Sequence, residues 1–297
     1  MLLKFYGVRG SYPVPGPDTV KYGGNTTCVT ITKEVNGKTI RIILDSGSGI
    51  VQLGKDIMKN WKNEVMPITM LFTHLHPDHT TEFPFFVPNY LSETILNLYG
   101  MQALKMHVGK ILERNMLPPN FPIEYKDLKS QRNHFIIKDN SNILIKYEDK
   151  EIFQIKAMQS FAPSHPQQGA IYYRITDCER GTSIACIWDI ESKIGGDKAV
   201  INFSKDCDVM IHDTQYTKEE YESDRMIVQG FGHSTYEMAI ENAKQANIKK
   251  MLICTHFNPN HTDSFLDKIQ QDLSKLPLPF EVKLAHEGLT IEVWGKK

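Results

Sequence analysis

An apolar strand pattern that ends in a cluster of histidines is the feature that most constrains this chain. In residues 67–83, PITMLFTHLHPDHTTEF, the strand is followed by His74, His76, Asp78 and His79 within six positions. The whole chain of 297 residues contains 11 histidines, and neither a buried strand nor a solvated loop explains so many in one place. Alternate side chains of a strand share a face, so His74 and His76 can bind one ion together. The segment therefore predicts a metal site at the end of a strand.

Asp78 and His79 extend this site beyond a His-x-His pair, which by itself is more often incidental than a metal site. Pro77 helps to end the strand, and the two residues after it are adjacent and project in different directions. They therefore suit a second ion beside the first. Zinc sites accept imidazole and carboxylate ligands, and two ions about 3.5–4 Å apart can hold a water molecule and a substrate oxygen together.

Three further candidate ligands occur where predicted strands meet loops: His165 in FAPSHPQQG, Asp189 after SIACIW and His256 after KKMLICT. Taken singly, His165 also fits an ordinary loop histidine, and Asp189 also fits a helix N-cap. The ends of several strands can converge at one edge of a sheet, which is where ligands commonly bind in α/β folds. We therefore predict that these three residues join the cluster.

The composition argues against several other classes of protein. The net charge is −1 and the isoelectric point is near 6.8, so the chain lacks the global basic field of a nucleic-acid-binding protein, while a local basic patch stays open as an alternative. The five cysteines form no C-x-x-C pair, which favours free thiols in a reducing compartment. The first residues suit no signal peptide, and no run approaches 18 apolar residues, so no membrane span is expected. A cytoplasmic location is the expectation.

Strand and helix patterns alternate in both halves, without a repeat, a low-complexity tract or a flexible linker. This favours one α+β domain over residues 1–297, with sheet packed on sheet and helices outside; a doubly wound sheet remains the alternative on pattern alone. Helices are predicted over residues 47–61, 101–116, 234–248 and 263–276. Ser234 and Glu237 would form a capping box at the start of the third.

The order of the motifs resembles the metallo-β-lactamase superfamily of hydrolases over almost the whole chain, beginning with Asp45 in LDSGSG. The resemblance implies an αββα sandwich of two mixed sheets, with helices on the outer faces and a dinuclear metal site at one edge. Asp45 would orient the ligand loop without binding a metal itself. The implied ligands form two groups with one bridging carboxylate: His74, His76 and His165 for the first ion, Asp78, His79 and His256 for the second, and Asp189 between them.

The cofactors that follow are two divalent metal ions with a bridging water or hydroxide. Zn²⁺ is the expected metal. Imidazole and carboxylate ligands also accept Mn²⁺ or Fe²⁺, and availability decides among the three.

Residues 230–239, GFGHSTYEMA, resemble the H-S-T signature of the phosphodiesterase branch, which includes tRNA 3′-processing endonucleases and cyclic-phosphate phosphodiesterases. The local sequence of His233 also fits a histidine that starts a helix. The resemblance implies instead that His233 protonates the departing alkoxide, for which an imidazole is suited at neutral pH. Asp213 in IHDTQYT would support that imidazole, and Asp78 would serve in catalysis as well as in metal binding.

The substrate expected is a small phosphodiester, such as a cyclic nucleotide or a short oligonucleotide. Bacterial tRNA-processing members of the branch commonly carry a long tRNA-binding arm between the third and fourth motifs, yet only 24 positions separate His165 from Asp189 (189 − 165). Long nucleic acid is therefore not expected as a partner. A membrane is not expected either, and a homodimer is usual in the branch. Three alternatives stay open: a thioesterase of the glyoxalase II type, an RNA-processing nuclease without the arm, and a non-catalytic binder. Thioesterases of the glyoxalase II type lack an H-S-T segment, which argues against the first.

Overall fold

Two mixed β-sheets form the centre of the computed structural model, which describes residues 1–103, 106–160, 169–225 and 227–294. Within these residues each of the two sheets has seven strands. In spatial order, the first contains β16 (Thr290–Glu292), β1 (Leu2–Gly7), β2 (Cys28–Val35), β3 (Lys38–Leu44), β4 (Met66–Leu71), β5 (Thr94–Gly100) and β8 (Gln131–Ile136). The second contains β15 (Glu281–Leu284), β14 (Met251–Thr255), β13 (Val209–Asp213), β12 (Ser183–Ile187), β11 (Ala170–Asp177), β10 (Lys150–Ser160) and β9 (Asn142–Tyr147).

Each sheet combines a parallel half with an antiparallel half. Strands β3, β4, β5 and β8 run parallel in the first sheet, and β12, β13, β14 and β15 run parallel in the second. The remaining pairs are antiparallel, including the β2–β3 hairpin whose Asn-Gly turn has positive φ at both positions. The parallel halves matter for function, because the carboxyl ends of parallel strands meet at one edge of a sheet.

Helices cover both outer faces of the sheet pair. Helices α1 (Ile50–Lys59) and α3 (Val108–Asn115) pack on the first sheet through one apolar cluster. Helices α4 (Lys198–Ser204), α6 (Tyr236–Gln245) and α7 (Asp263–Leu273) lie against the second sheet, and the cluster that they join also fills the space between the sheets. Two short helices, α2 (Pro77–Thr80) and α5 (Lys218–Tyr221), lie in loops. The predicted αββα sandwich is therefore confirmed, and the doubly wound alternative is wrong.

The predicted helix over residues 101–116 begins seven residues late. Residues before it form a small hairpin of β6 (Gln102–Ala103) and β7 (Met106–His107). The apolar residues of this segment pack in two different places, because Met101 belongs to the cluster between the sheets while Val108 and Leu112 belong to the outer cluster. The helical spacing therefore holds only from Val108 onward.

The predicted capping box of Ser234 and Glu237 does not form at the start of α6, because the N-cap lies one residue later. Thr235 is the N-cap, and its side chain accepts a hydrogen bond from the Met238 amide at 3.3 Å. The Ser234 hydroxyl instead donates to the Ile190 carbonyl at 2.5 Å and accepts from the Ser192 amide at 3.0 Å. Ser234, which the local pattern assigned to the N-cap, is therefore used in tertiary contacts with Ile190 and Ser192.

No helix of the described residues combines the length and the apolar character needed to cross a membrane. That residues 1–297 form a single domain stays a prediction.

A buried ion pair joins the two sheets. Lys33 Nζ on β2 lies 2.6 Å from Asp177 Oδ1 on β11, and the Asp177 side chain is fully buried while that of Lys33 is 11% exposed. Glu179, which is largely exposed, lies 2.8 Å from the same ammonium group. Removing one partner of a buried pair leaves the other charge uncompensated, which is costly.

We expect Asp177→Asn to lower the free energy of unfolding by about 3 kcal/mol, because Lys33 would keep only its exposed partner. The measurement is urea denaturation of metal-stripped protein, so that metal binding does not add to the stability. The matched control is Asp272→Asn, which removes a pair with Lys275 whose side chains are 70% and 77% exposed and should change stability by less than about 1 kcal/mol. Equal effects of the two substitutions would contradict the prediction.

Candidate metal centre

The carboxyl ends of the parallel strands deliver the predicted acids and histidines to one place. Asp45 follows β3, His74 follows β4 closely, Asp189 follows β12 and His256 follows β14. Asp45, Asp189 and His256 have positive φ angles of 59°, 49° and 62°. This left-handed conformation is unfavourable for a residue with a side chain and is concentrated at functional sites in proteins. The chain thus turns sharply at three strand ends, directly at the candidate residues.

Four of the predicted ligands form a compact buried group. His256 Nε2 lies 3.4 Å from Asp78 Oδ2 and 3.2 Å from Asp189 Oδ1. His79 Nε2 lies 3.2 Å and 3.4 Å from the same two oxygens. One ligand atom from each of the four residues falls within 4.8 Å of all the others. This is the set that the family resemblance assigns to the second ion and its bridge.

A second group overlaps the first through Asp78. His74, His76 and Asp78 also offer ligand atoms within 4.8 Å of one another, and the imidazole rings of His74 and His76 are 4.4 Å apart. Asp189 reaches this side too, because its Oδ2 lies 3.3 Å from His74 Nε2. His165, predicted as the third histidine of this group, lies outside the described residues.

The two groups fit divalent metal ions. The Nε2 atoms of His79 and His256 are buried and make no hydrogen bond to any described residue. A buried polar atom without a partner is costly, and these two atoms face carboxylate oxygens at distances that a cation would fill with ligand bonds. The donor set of imidazole nitrogens and carboxylate oxygens is one that zinc and related ions accept. Divalent metal binding is therefore the reading that this cluster supports.

The charges of the buried acids and histidines shift one another's pKa values. Burial alone would lower the pKa of His256, but the nearby carboxylates, first that of Asp189, raise it to about 9. Burial would likewise lower the pKa of His79, but its carboxylate neighbours, first Asp78, raise it well above the usual range. Burial would raise the pKa of Asp78, yet His79 and His256 hold it well below its usual range. In the metal-free chain at neutral pH, protons therefore occupy the positions that a metal would take.

Asp45 fixes the loop that carries these ligands. Its Oδ1 accepts a hydrogen bond from the Thr73 amide at 2.8 Å, and its Oδ2 accepts from the Thr73 hydroxyl at 2.8 Å. The same Oδ2 lies 2.8 Å from His79 Nδ1. Because a carboxylate accepts, the proton of His79 belongs on Nδ1, which directs Nε2 to the cluster. Asp45 thus holds Thr73 and the His79 ring in place.

The N-terminal loop closes the cluster from a side that the sequence did not reveal. The Ser11 amide donates to Asp78 Oδ2 at 2.9 Å. Gly10 packs so closely that a Cβ atom there would lie 2.4 Å from Gln215 Oε1 and 2.5 Å from His256 Nδ1. Only glycine allows the backbone to approach a ligand at this distance. The signal that could have identified Gly10 and Ser11 was their place in a loop rich in glycine and proline.

A fully buried arginine holds that loop in place. The Arg9 guanidinium donates to the Gly23 carbonyl at 2.7 Å and to the His261 carbonyl at 2.6 Å. It therefore joins the N-terminal loop to the segment that follows His256. The side chain of His261 is used elsewhere, 2.9 Å from Glu220.

His233 and Asp213 form a pair beside the metal cluster. His233 Nδ1 lies 2.7 Å from Asp213 Oδ2, and both side chains are buried. The rings of His233 and His256 stack with centroids 5.1 Å apart. Asp213 Oδ2 also lies 3.8 Å from His256 Nδ1. Asp213 thus stands between the candidate general acid and a candidate metal ligand.

Comparison with known proteins places the chain in a family. A family model described as a beta-lactamase superfamily domain matches residues 40–257, well over half of the chain. Ribonuclease Z of Brevibacillus brevis is 23% identical over 293 residues, which cover 84% of this chain and 88% of that protein. Among solved structures, the metallo-beta-lactamase fold protein YhfI from Bacillus subtilis has a TM-score of 0.67 and 17% identity, with 98% of each chain covered. Human tRNase Z, short form, has a TM-score of 0.62 and 18% identity, covering 98% of this chain and 99% of that one.

This chain therefore belongs to the beta-lactamase superfamily. It is a metal-dependent hydrolase of the metallo-β-lactamase fold, and the resemblance predicted from the motifs is confirmed.

Metal binding should release protons, because His256 and His79 carry them at pH 7 in the metal-free chain. Since a metal takes only the neutral ring, the apparent affinity should rise as the pH increases towards 9. We expect at least one proton released per chain when Zn²⁺ is titrated into chelator-treated protein at pH 7. The measurement is calorimetry in buffers of different ionisation enthalpy. The control His286→Ala changes a histidine outside the cluster and should leave this number intact. Metal uptake without proton release would contradict the assignment.

Proposed function

We propose that this protein hydrolyses phosphodiesters at a dinuclear metal centre and acts on a small or short nucleotide substrate. The observation that carries the proposal is the position of His233, which is paired with Asp213 and stacked beside His256. A hydrolase that breaks a P–O bond to an alkoxide needs a proton donor at the departing oxygen. His233 lies beside the His/Asp cluster, which is the arrangement that such a reaction requires.

Two ions, with Zn²⁺ expected and Mn²⁺ or Fe²⁺ as alternatives, suit the two overlapping groups of ligand atoms. The group of His74, His76 and Asp78 would hold one ion, with His165 completing it. The group of Asp78, His79 and His256 would hold the other, and Asp189 would serve both. When bound, divalent ions polarise the phosphoryl group and make water a nucleophile at neutral pH.

The residues of the chain itself would then orient the reaction. Asp213 accepts the Nδ1 proton of His233, which leaves Nε2 as the nitrogen that gains and loses a proton. The same hydrogen bond fixes the orientation of the His233 ring. Asp78, held by the Ser11 amide, would contribute both to metal binding and to placing the reacting groups.

The short interval between His165 and Asp189 supports a small substrate. Residues 169–189 contain only the hairpin of β11 and β12, followed by Asp189. An RNA-binding arm would need an insertion that this hairpin does not contain. The net charge of −1 agrees, because long nucleic acids are held mainly through basic contacts with phosphates.

A second candidate is an RNA-processing nuclease, favoured by the relatives named Ribonuclease Z. These relatives also support a phosphodiester substrate over the thioester of a glyoxalase II type enzyme. A cytoplasmic location and a homodimer stay predictions.

The test of the substrate is a panel assayed with the Zn²⁺- and Mn²⁺-loaded protein. It contains bis(p-nitrophenyl) phosphate, cyclic mononucleotides and dinucleotides, short RNA, precursor tRNA and S-lactoylglutathione. We expect higher kcat/KM for cyclic or short diesters than for precursor tRNA, because residues 169–189 contain no insertion that could serve as an arm for tRNA. Efficient tRNA 3′-end cleavage by this chain alone would favour the second candidate, and thioester turnover without diester turnover would reject both.

The role of His233 predicts a dependence on the leaving group. A general acid typically contributes about 10²–10⁴-fold, but a nitrophenolate departs well without one. His233→Ala should therefore reduce hydrolysis of a nucleotide diester by about that factor and of a nitrophenyl diester much less, with metal content retained. Asp213→Asn should give a weaker form of the same pattern.

The measurements are kcat/KM on both substrates and elemental analysis of each variant. His212→Gln is the matched control, since this neighbouring buried histidine is bound by the Asp213 carbonyl and by Asn242. Equal losses on both substrates after His233→Ala would indicate a structural role. Loss of metal would instead place His233 among the ligands.

A further inference from the structure

A cavity of about 310 Å³ opens next to His233. Its lining residues are Ser11, Gln215, Tyr216, Gly230, Phe231 and His233. The ring of His233 stacks on that of His256, so the cavity lies directly beside the metal cluster. Ligand sites span about 300–1,000 Å³, and this volume therefore suits one compact group rather than several.

Phe231 presents an exposed aromatic face at this cavity. Its side chain is 55% exposed, although an aromatic residue of this size is usually buried. It lies between Gly230 and Gly232, which both have φ angles of 86°. This backbone conformation is open mainly to glycine, and it places Phe231 two residues before the candidate general acid.

Glu191 anchors the loop that carries Phe231. Both Glu191 oxygens accept from the Gly230 amide at 2.9 Å, and Oε2 also accepts from the Gly232 amide at 3.1 Å. The Tyr221 hydroxyl donates to Glu191 Oε1 at 2.7 Å. Charge-assisted bonds of this kind are stronger than neutral ones. Because these bonds fix the loop, the exposed ring of Phe231 is already held in position to bind a ligand, and binding would cost little ordering of the loop.

Gln215 contributes a polar side chain to the lining of this cavity. Its side chain is 4% exposed, and Oε1 accepts no hydrogen bond from any described residue. Nε2 has only long contacts, at 3.4 Å to Ser11 Oγ and 3.3 Å to the Tyr216 hydroxyl. Oε1 is buried against Gly10, so the group that Gln215 can offer to a bound molecule is its Nε2 amide, which the two long contacts leave able to donate.

The described residues that line the cavity include no lysine or arginine. The cavity therefore suits the uncharged part of a substrate, while the phosphate belongs at the metal cluster. A nucleoside has the matching chemistry: a flat base for Phe231 and hydrogen-bonding groups for Gln215. Base–aromatic stacking is a general means of binding single nucleotides.

We propose that this cavity binds the nucleoside whose ribose oxygen departs, with its base stacked on Phe231 and with Glu191 as the positioning residue for that ring. The inference rests on the proposed phosphodiesterase function, because His233 protonates the departing oxygen at the cavity wall. It adds to that function a preference for a base on the leaving side of the scissile phosphate.

The test uses uridylyl-uridine and three analogues in which the first base, the second base or both are replaced by hydrogen. All four have the same scissile bond. The metal-loaded protein should lose about 5- to 100-fold in kcat/KM, the range of base stacking, when the base on the leaving side is absent. The base on the other side should matter less. Phe231→Ala should remove this dependence mainly through KM, since stacking binds substrate and transition state alike, while Phe231→Trp should keep it.

Glu191→Ala should weaken the same base preference, and adding it to Phe231→Ala should reduce the preference no further. Phe135→Ala is the matched control, because Phe135 is 41% exposed on the edge strand β8; it should keep the dependence on the leaving-side base. Equal cleavage of all four substrates by the unmodified protein, or an unchanged preference in Phe231→Ala, would overturn the inference and leave the proposed function standing. Failure to cleave these four and bis(p-nitrophenyl) phosphate with metal bound would reject the proposed function itself.

Discussion

The burial of carboxylates among histidines is the constraint on which this site depends. The four carboxylates concerned are each at most 8% exposed: Asp45, Asp78, Asp189 and Asp213. An ionised carboxylate in such surroundings needs a close partner, and each has an imidazole nitrogen between 2.7 and 3.2 Å away. The partners come from strand ends of two different sheets. The two sheets must therefore pack correctly for each buried carboxylate to have its imidazole partner.

The sequence was sufficient to predict the residues that lie close together along the chain. His74, His76, Asp78 and His79 occur within six positions, so their composition alone indicated metal chemistry. The alternating patterns favoured stacked sheets but left a doubly wound sheet open, and the αββα sandwich came from the family resemblance. The sequence was insufficient where contacts join distant segments. The Ser11 amide reaches Asp78 across 67 positions, and no local pattern marks such a pair. The prediction of a helix over all of residues 101–116 was wrong for the same reason, because the apolar residues of this segment pack in two separate clusters.

Two adjoining loops connect the His/Asp cluster to His233, the proposed proton donor. The strand end that supplies Asp189 continues into Glu191, which binds the amides of Gly230 and Gly232. Ser234, just after His233, bonds to Ile190. Asp213 contacts His233 and also faces His256. A change in position at the candidate metal ligands would thus reach His233 through short, direct contacts, and no long-range pathway is needed.

The distribution of charge decides what kind of selectivity this site can have. The chain carries 34 basic and 35 acidic residues, so its net charge offers no overall attraction to a phosphate backbone. The described lining of the cavity beside His233 is free of lysine and arginine as well. The charge of a substrate phosphate must then be balanced at the metal cluster. What remains for the cavity is the neutral part of the substrate, where stacking and a few hydrogen bonds discriminate by shape and are little affected by salt. Selectivity would therefore reside in Phe231 and Gln215, while the His/Asp cluster would bind the phosphate of any diester that fits.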